Sequence, residues 1–568
     1  MAIARDFRDP KETRPGLGRL LLAMLLAIAA VVVVAFEHGY HEPLLHAAIL
    51  EAGQLFLPWL SLVVAGDIHW RRASRTRWSN PVGVVGECGL AAAALTGIMG
   101  LHGPAELLSV AAAVTMALRL NSQLARSISN PSLLFPASFL GLITVSTFLL
   151  KLPSATPDEQ PINWVDAAFT ATSAVCVTGL AVRDTATGFT PFGQAVIAAS
   201  IQLGGLGVMI FGSTLALLFG ARLSFRENVT LSMALDEYPA HRITRFAWFI
   251  VLVTLGLEAI GALILYVTWP AELIRPGDHR LWLAVFHSIS AFCNAGFDIT
   301  GESLIGLRAH GAPYFAIVPL IIIGGLGFIV LEDFHRLIMR RHGRRRVPRL
   351  STHTRLVLAT TAALLILGFV VILIAQARAA GQFTGQHVLD ALFMSTTART
   401  AGFTSMPMDE LTPGSRFMLM LLMSVGGSPG STAGGMKTTV FAVLVLSIIS
   451  TVRGRDEVEA FGRALPDGLV KRAGTIAFGL VGVVSLAALA LDLTETIRFE
   501  PLLFEVISAA TTTGLSLGAT DDLTPAGRII IVATMFLGRV GPLALLASLV
   551  GMHAPIDYRL PRDTVSLG

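Results

Sequence analysis

The chain has 568 residues, of which 53% are hydrophobic and only 14% charged, against about 25% charged in an ordinary soluble domain. That much apolar surface does not fit into one water-borne core, so the composition excludes a soluble globular fold and calls for a bilayer. The net charge is only +4, and the basic residues gather in short segments between apolar stretches, which marks membrane topology and not a nucleic-acid surface.

A helix of about 20 apolar residues crosses the hydrocarbon layer. Twelve stretches qualify as crossings, at 20–36, 47–65, 82–100, 105–117, 133–152, 192–219, 246–267, 314–334, 356–375, 417–450, 476–491 and 528–550. The segment before the first carries charge without a small-residue cleavage site, so no secretory signal is expected. Arginine clusters follow the even-numbered crossings: Arg71 to Arg77, Arg119 and Arg126, Arg222 to Arg245, Arg336 to Arg355, and Arg453 to Arg472. They share one side, which should be cytoplasmic, with both termini on it. Cys88, Cys176 and Cys293 have no spacing that suggests a zinc site or a disulfide framework.

From the fifth crossing on, each odd-numbered crossing is followed by a long outer connection that turns apolar and then reaches a glycine: Gly179, Gly296, Gly402 and Gly514, spaced by 117, 106 and 112 residues. A hydroxyl residue (Ser173, Ser290, Thr396, Ser508) lies six positions before each. A large apolar residue lies ten before, and another directly after. Such repetition points to one supersecondary unit used four times. About nine residues of helix reach only halfway across a membrane, so the chain returns as non-helical backbone, which is tolerated at that depth only inside protein or along a wet cavity. Its carbonyls can replace the water shell of a cation. Glycine permits φ > 0 at the narrowest point, and four half-helix C-termini aim partial negative charge at the centre.

The runs at 171–180, 397–403 and 426–435 resemble the TrkH/KtrB/HKT superfamily of potassium transporters, and the likeness extends over roughly 133–568. The resemblance implies an all-α polytopic membrane protein with four pseudo-symmetric helix–pore loop–helix units around one pore, preceded here by about four extra N-terminal transmembrane helices. The corresponding divisions are 1–131 for the extra helices, then 132–220, 221–335, 336–452 and 453–568 for the four units. Carried over by motif, the selectivity filter comprises Cys176, Val177, Thr178 and Gly179; Cys293, Asn294, Ala295 and Gly296; Arg399, Thr400, Ala401 and Gly402; and Thr511, Thr512, Thr513 and Gly514. A serine at the first filter glycine marks sodium preference in the plant branch, so four glycines favour potassium, with a sodium-selective or weakly selective transporter as the alternative. Potassium is the implied ion at these filter residues, and sodium is left open as a coupling or activating ion.

The tenth crossing is interrupted by Gly426, Gly427, Ser428, Pro429, Gly430, Ser431, Thr432, Ala433, Gly434 and Gly435, which cannot continue a stable helix. A break near mid-membrane must face protein or a water path, and the family places its gating loop here. Lys437 follows it and is expected to help hold it. Arg539 lies in the last crossing, where a cation is a functional candidate by default; the expectation is that it projects below the filter and repels resident cations. Arg399 is expected to point behind the filter towards a carboxylate such as Asp390, and Cys176 and Cys293 to pack there. Glu258, also at membrane depth, reads as a structural hydrogen-bonding group. Gly204, Gly205 and Gly207, with Gly324, Gly325 and Gly327, read as close helix packing.

No Walker motif and no Gly-x-Gly-x-x-Gly after a strand occurs, nor His-Glu-x-x-His or Gly-x-Ser-x-Gly, so neither an ATP-driven pump nor a membrane enzyme is expected, and the chain carries no cofactor of its own. The resemblance implies a homodimer, with the segment 558–568 contacting the second copy, and a cytoplasmic nucleotide-binding regulator of TrkA or KtrA type. It also implies a bacterial cytoplasmic (inner) membrane location, membrane lipid as surroundings and no nucleic-acid partner.

Overall fold

The computed structural model describes residues 134–157, 162–207, 243–341 except 276, 309, 312 and 313, and 350–541. The four crossings expected before residue 131 lie outside these residues, as do the basic segments at 208–242 and 342–349 and the end of the last crossing. What is described is helical apart from one small hairpin, Glu459–Ala460 paired with Arg463–Ala464.

Four helical units follow one another. The first contains α1 (Leu134–Leu150), α2 (Trp164–Val175) and α3 (Pro191–Leu206). The second contains α4 (Ile243–Thr268), α5 (Arg280–Cys293), α6 (Tyr314–Leu326) and α7 (Phe328–Arg341). The third contains α8 (Thr352–Ala380), α9 (Gly385–Thr397), α10 (Pro413–Ser424) and α11 (Thr438–Val452). The fourth contains α12 (Asp467–Asp492), α13 (Phe499–Thr511) and α14 (Pro525–Val540). Among the described residues, Phe246–Thr268, Thr352–Ala380 and Gly468–Asp492 are long and apolar enough to cross a membrane. The short helices α2, α5, α9 and α13 have 12, 14, 13 and 13 residues, so each reaches about 20 Å, short of the roughly 30 Å of a hydrocarbon core. Their ends are buried in the common core, with Phe286, Phe292, Phe393 and Phe504 almost fully enclosed.

Three of the helices that follow these half-helices start alike. Thr190, Thr412 and Thr524 precede Pro191, Pro413 and Pro525, and each hydroxyl accepts the third amide of its helix at 3.3, 3.2 and 3.3 Å. Proline suits the first helical position, where its missing N–H is no loss. The crossing expected at 314–334 is corrected to a bent pair; in those expected at 192–219 and 528–550 the described helices stop at Leu206 and Val540, and Leu206, Leu326 and Val540 are followed by Gly207, Gly327 and Gly541 at φ +77°, +92° and +85°. In the second unit the chain bends by 100° and resumes as a helix. The glycine three residues earlier in each motif is a packing position: a Cβ on Gly204, Gly324 or Gly538 would fall 1.9, 2.0 or 2.2 Å from the carbonyl oxygen of Val175, Phe292 or Ala510. Close packing thus holds for Gly204 and Gly324, while Gly207 and Gly327 end helices.

On the half-helix N-terminal side the units are clasped in a circle. Trp282 donates to Gln194 at 2.9 Å, joining the second unit to the first. Arg308 pairs with Asp390 at 2.7 Å, joining the second to the third. Arg416 and Glu500, 3.7 Å apart, join the third to the fourth, and Arg528 and Asp166, at 2.6 Å, close the fourth onto the first.

Candidate functional site

Each half-helix ends in a turn with the same two positive-φ positions. Val177, Asn294, Thr400 and Thr512, two residues before the glycines, have φ of +58°, +57°, +70° and +51°. Gly179, Gly296, Gly402 and Gly514 follow at +93°, +71°, +81° and +92°. Of the four non-glycine side chains only asparagine favours that region, so the surroundings hold the turn. The amides of Thr178, Ala295 and Thr513 donate to the carbonyls of Ser173, Ser290 and Ser508 at 2.7, 2.8 and 2.8 Å, the six-to-one bond of a helix C-cap. In the third unit the turn is one residue tighter, and Ala401 donates to Thr397 at 2.8 Å.

The hydroxyl residues brace the return strand. Ser173 and Ser508 accept the amides of Gly179 and Gly514 at 3.0 and 2.9 Å, and Ser290 donates to the Phe297 carbonyl at 2.7 Å. The third unit departs from the expected spacing. Thr396 bonds back to Leu392 in its own helix, and Thr397 makes the brace, donating to Phe403 at 2.7 Å. The tighter turn moves that role by one position.

The four turns close on one another. A Cβ on Gly179 would lie 2.4 Å from the Ala295 carbonyl oxygen, one on Gly296 2.8 Å from that of Ala401, one on Gly402 2.4 Å from that of Thr513, and one on Gly514 2.1 Å from that of Thr178. Each glycine therefore faces the carbonyl just before the next unit's glycine, in the order one, two, three, four, one. The result is a ring of four glycines and four carbonyls with no room for a side chain. Every expected filter residue lies in these turns, and all are buried except Gly179 and Gly514, which are partly exposed. Cys176 packs with Phe139 and Ile143, and Cys293 lies beside Gln202 and Glu258; both are free thiols behind the ring.

Beneath the ring sits the segment 426–435. Its two legs pair through Gly427 and Gly434 (3.2 Å) and through Met436 and Ser424 (3.3 Å). It nests against the bend of the second unit: Ser428 donates to Gly325 at 2.9 Å, and Phe328 donates to Gly430 at 2.9 Å. The Thr432 hydroxyl is 3.1 Å from the carbonyls of both Phe292 and Gly324. A Cβ on Gly434 would meet Thr512 Oγ1 at 2.0 Å and the Thr511 carbonyl at 2.7 Å, so the second leg lies directly against the fourth unit's turn. The Ser428 and Thr438 hydroxyls bond at 2.8 Å.

Three cations hold peptide carbonyls here. Lys437 Nζ donates to Ala433 at 2.8 Å, within the loop it follows. Arg539, partly buried, donates to Thr432 at 2.5 Å and to Gly204 at 2.6 Å, so its head group bridges the loop to the end of α3. Arg399 donates to Gly426 at 2.8 Å. The expected partner Asp390 is a correction: it is held by Arg308 Nε and Nη2 at 3.0 and 2.7 Å. Asp390 and Arg399 are nine positions apart, about 13 Å along a helix, with Asp390 midway along α9 and Arg399 just beyond its C-terminal end.

Two buried carboxylates complete the surroundings. Glu258 accepts from Gln202 at 3.0 Å, the structural role expected of it. Glu505, which sequence reasoning passed over, accepts from Ser516 at 2.7 Å and from the Thr520 hydroxyl, tying α13 to the segment beyond Gly514. An acid in the apolar middle of the half-helix, beyond Glu500 in its first turn, was the available signal. Among the described residues no group of three or more His, Cys, Asp or Glu could hold a metal ion, so any ion in this site would be met by carbonyls and hydroxyls.

Residues 108–553 match the TrkH family, described as cation transport protein. The potassium/sodium uptake protein NtpJ of Enterococcus hirae is 35% identical over 449 residues, covering 77% of this chain and 97% of that one. The Ktr system potassium uptake protein B of Bacillus subtilis is 36% identical over 423 residues, covering 74% and 93%. The crystal structure of the potassium transporter TrkH from Vibrio parahaemolyticus superposes with a TM-score of 0.60 at 18% identity, covering 94% of this chain and 99% of that one, which is a likeness of fold.

Proposed function

From the premise that the chain belongs to the TrkH family of cation transport proteins, we propose that it carries potassium into the cell through the ring of four carbonyl turns, as the translocating subunit of a Trk/Ktr-type system. The observation that carries this reading is the closed circle of glycine–carbonyl contacts running through Gly179, Gly296, Gly402 and Gly514. Carbonyl rings of this kind can stand in for the hydration shell of a cation, and the absence of any side chain keeps the passage lined by backbone. The half-helix C-termini add partial negative charge at the same place.

The segment 426–435 serves as the gate. It lies against the inner ends of three of the four turns, and its glycines allow movement without breaking a helix. Arg539 and Lys437 act by holding loop carbonyls, and Arg539 also adds a positive charge that opposes cation passage while the loop is in place. The relatives named for the Ktr system support a multi-component assembly, which we read as a homodimer with a cytoplasmic nucleotide-binding regulator. The arginine-rich connections support a bacterial inner-membrane location with both termini cytoplasmic.

Sodium remains a second reading because one relative is named a potassium/sodium uptake protein. Expression in a potassium-uptake-deficient strain, with rubidium uptake measured with and without sodium, tests both. Rescue at low potassium independent of sodium supports potassium channel-like transport, and rescue only with sodium supports coupling. Failure to rescue despite good membrane expression with a regulator present would overturn the assignment.

A further inference from the structure

The position three residues before the filter glycine is Cys176, Cys293 and Thr511 in the first, second and fourth units, and Arg399 in the third. A small uncharged side chain therefore suffices to form the turn, and the arginine is an addition peculiar to the unit that carries the long loop. Its side chain is 7% exposed, and among the described residues no carboxylate pairs with it. Burying an unpaired charge is costly. Two features offset the cost: the end of α9 just before it, whose free carbonyls favour a cation, and the charge-assisted bond of 2.8 Å to the Gly426 carbonyl.

Gly426 opens the loop, and there is no slack around it. A Cβ there would lie 2.2 Å from the Gly434 carbonyl oxygen and 2.8 Å from Cγ2 of Thr400, the next filter residue after Arg399. The first leg of the loop is thus fixed to the third filter turn, while the second leg rests on Thr511 and Thr512 of the fourth and Thr432 reaches Phe292 beside the second. Arg539 differs: its two acceptors, Thr432 and Gly204, lie outside the filter turns.

We propose that Arg399 is a positioning residue that couples the third filter turn to the gate loop, so that displacing the loop loosens the filter and weakens discrimination between potassium and sodium. This rests on the reading of 426–435 as a gate. Removing the bond frees both partners at once: the loop leg gains freedom and the filter turn loses its brace.

The test uses the full-length chain in proteoliposomes without a regulator, measuring rubidium and sodium influx separately. Arg399→Gln is expected to raise rubidium influx and to lower the rubidium-to-sodium ratio by about tenfold, equivalent to about 1.4 kcal/mol. Arg399→Lys keeps a donor and should retain most of the ratio. Gly426→Ala displaces the acceptor and should reproduce the loss, which decides the matter where Arg399→Gln does not reach the membrane. Arg539→Gln should raise influx with the ratio unchanged. Higher influx with an unaltered ratio in both Arg399→Gln and Gly426→Ala would overturn the coupling, as would no change in either. Wild-type vesicles that carry neither ion would remove the transport reading itself, and the proposal with it.

Discussion

In the second unit the helix after the filter turns by 100° across the single residue Gly327 and continues. In the third unit the corresponding helix stops at Ser424 and resumes only at Thr438. Both breaks fall where the half-helix ends, and in the first and fourth units the described helices end before Gly207 and Gly541. The long loop is therefore an expansion of the kind of break that the second unit makes with one residue. What the comparison teaches is how the expansion is held: it folds back into the bend of the second unit, where a Cβ on Gly327 would lie 2.5 Å from the Pro429 carbonyl, and Arg399 and Arg539 donate to its carbonyls.

The severest way to break the comparison is to remove what the units share. Gly514→Ala and Gly402→Ala place a methyl 2.1 and 2.4 Å from the facing carbonyls at φ +92° and +81°. Strain of about 1–3 kcal/mol or more at the ring should cut rubidium uptake by about ten- to a hundredfold, measured in the deficient strain at matched expression. Next, replacing 426–435 by the short break of the second unit should convert the third unit into an ordinary one and raise uptake several-fold, read as regulator-independent rubidium influx. Gly327→Ala sharpens the dependence of one break on the other. Its positive φ costs about 1–2 kcal/mol, so the melting temperature of the purified protein should fall and protease cleavage within 426–435 should become faster. Arg528→Gln removes one of the clasps, in which both side chains are about a fifth exposed. It should cost at most about 1 kcal/mol and leave ion discrimination intact. Gly256→Ala is the smallest: nothing lies within 4 Å of its Cβ position, and a neutral or slightly stabilising result of up to about 1 kcal/mol is expected in the same melting assay.

The four ring glycines were legible in the sequence because no other residue fits a positive φ beside a facing carbonyl. The matching strain two residues earlier was not, since Val177, Asn294, Thr400 and Thr512 are not one residue type and only asparagine favours the left-handed region on its own. The breaks at Gly207, Gly327 and Gly541 were hidden by apolar flanks, which keep hydropathy high across a bend. The threonine–proline starts of α3, α10 and α14 were a signal available but unused. The partner of Arg399 was missed because nearness in sequence suggested a carboxylate, whereas the actual acceptor is a backbone carbonyl 27 residues on, which has no signature in composition.

The contacts around the ring all run in the same sense, each glycine against the carbonyl of the following unit, and they close after four steps. That is the geometry of a head-to-tail cyclic assembly, here written into one polypeptide. Four separate identical subunits would have to repeat any change at every position, so an arginine at the inner edge would place four positive charges around the axis. Fusion lets a single quadrant carry the charge. The covalent chain thus permits an asymmetry that a true tetramer could not adopt, and the loop with its arginine is where that freedom has been used.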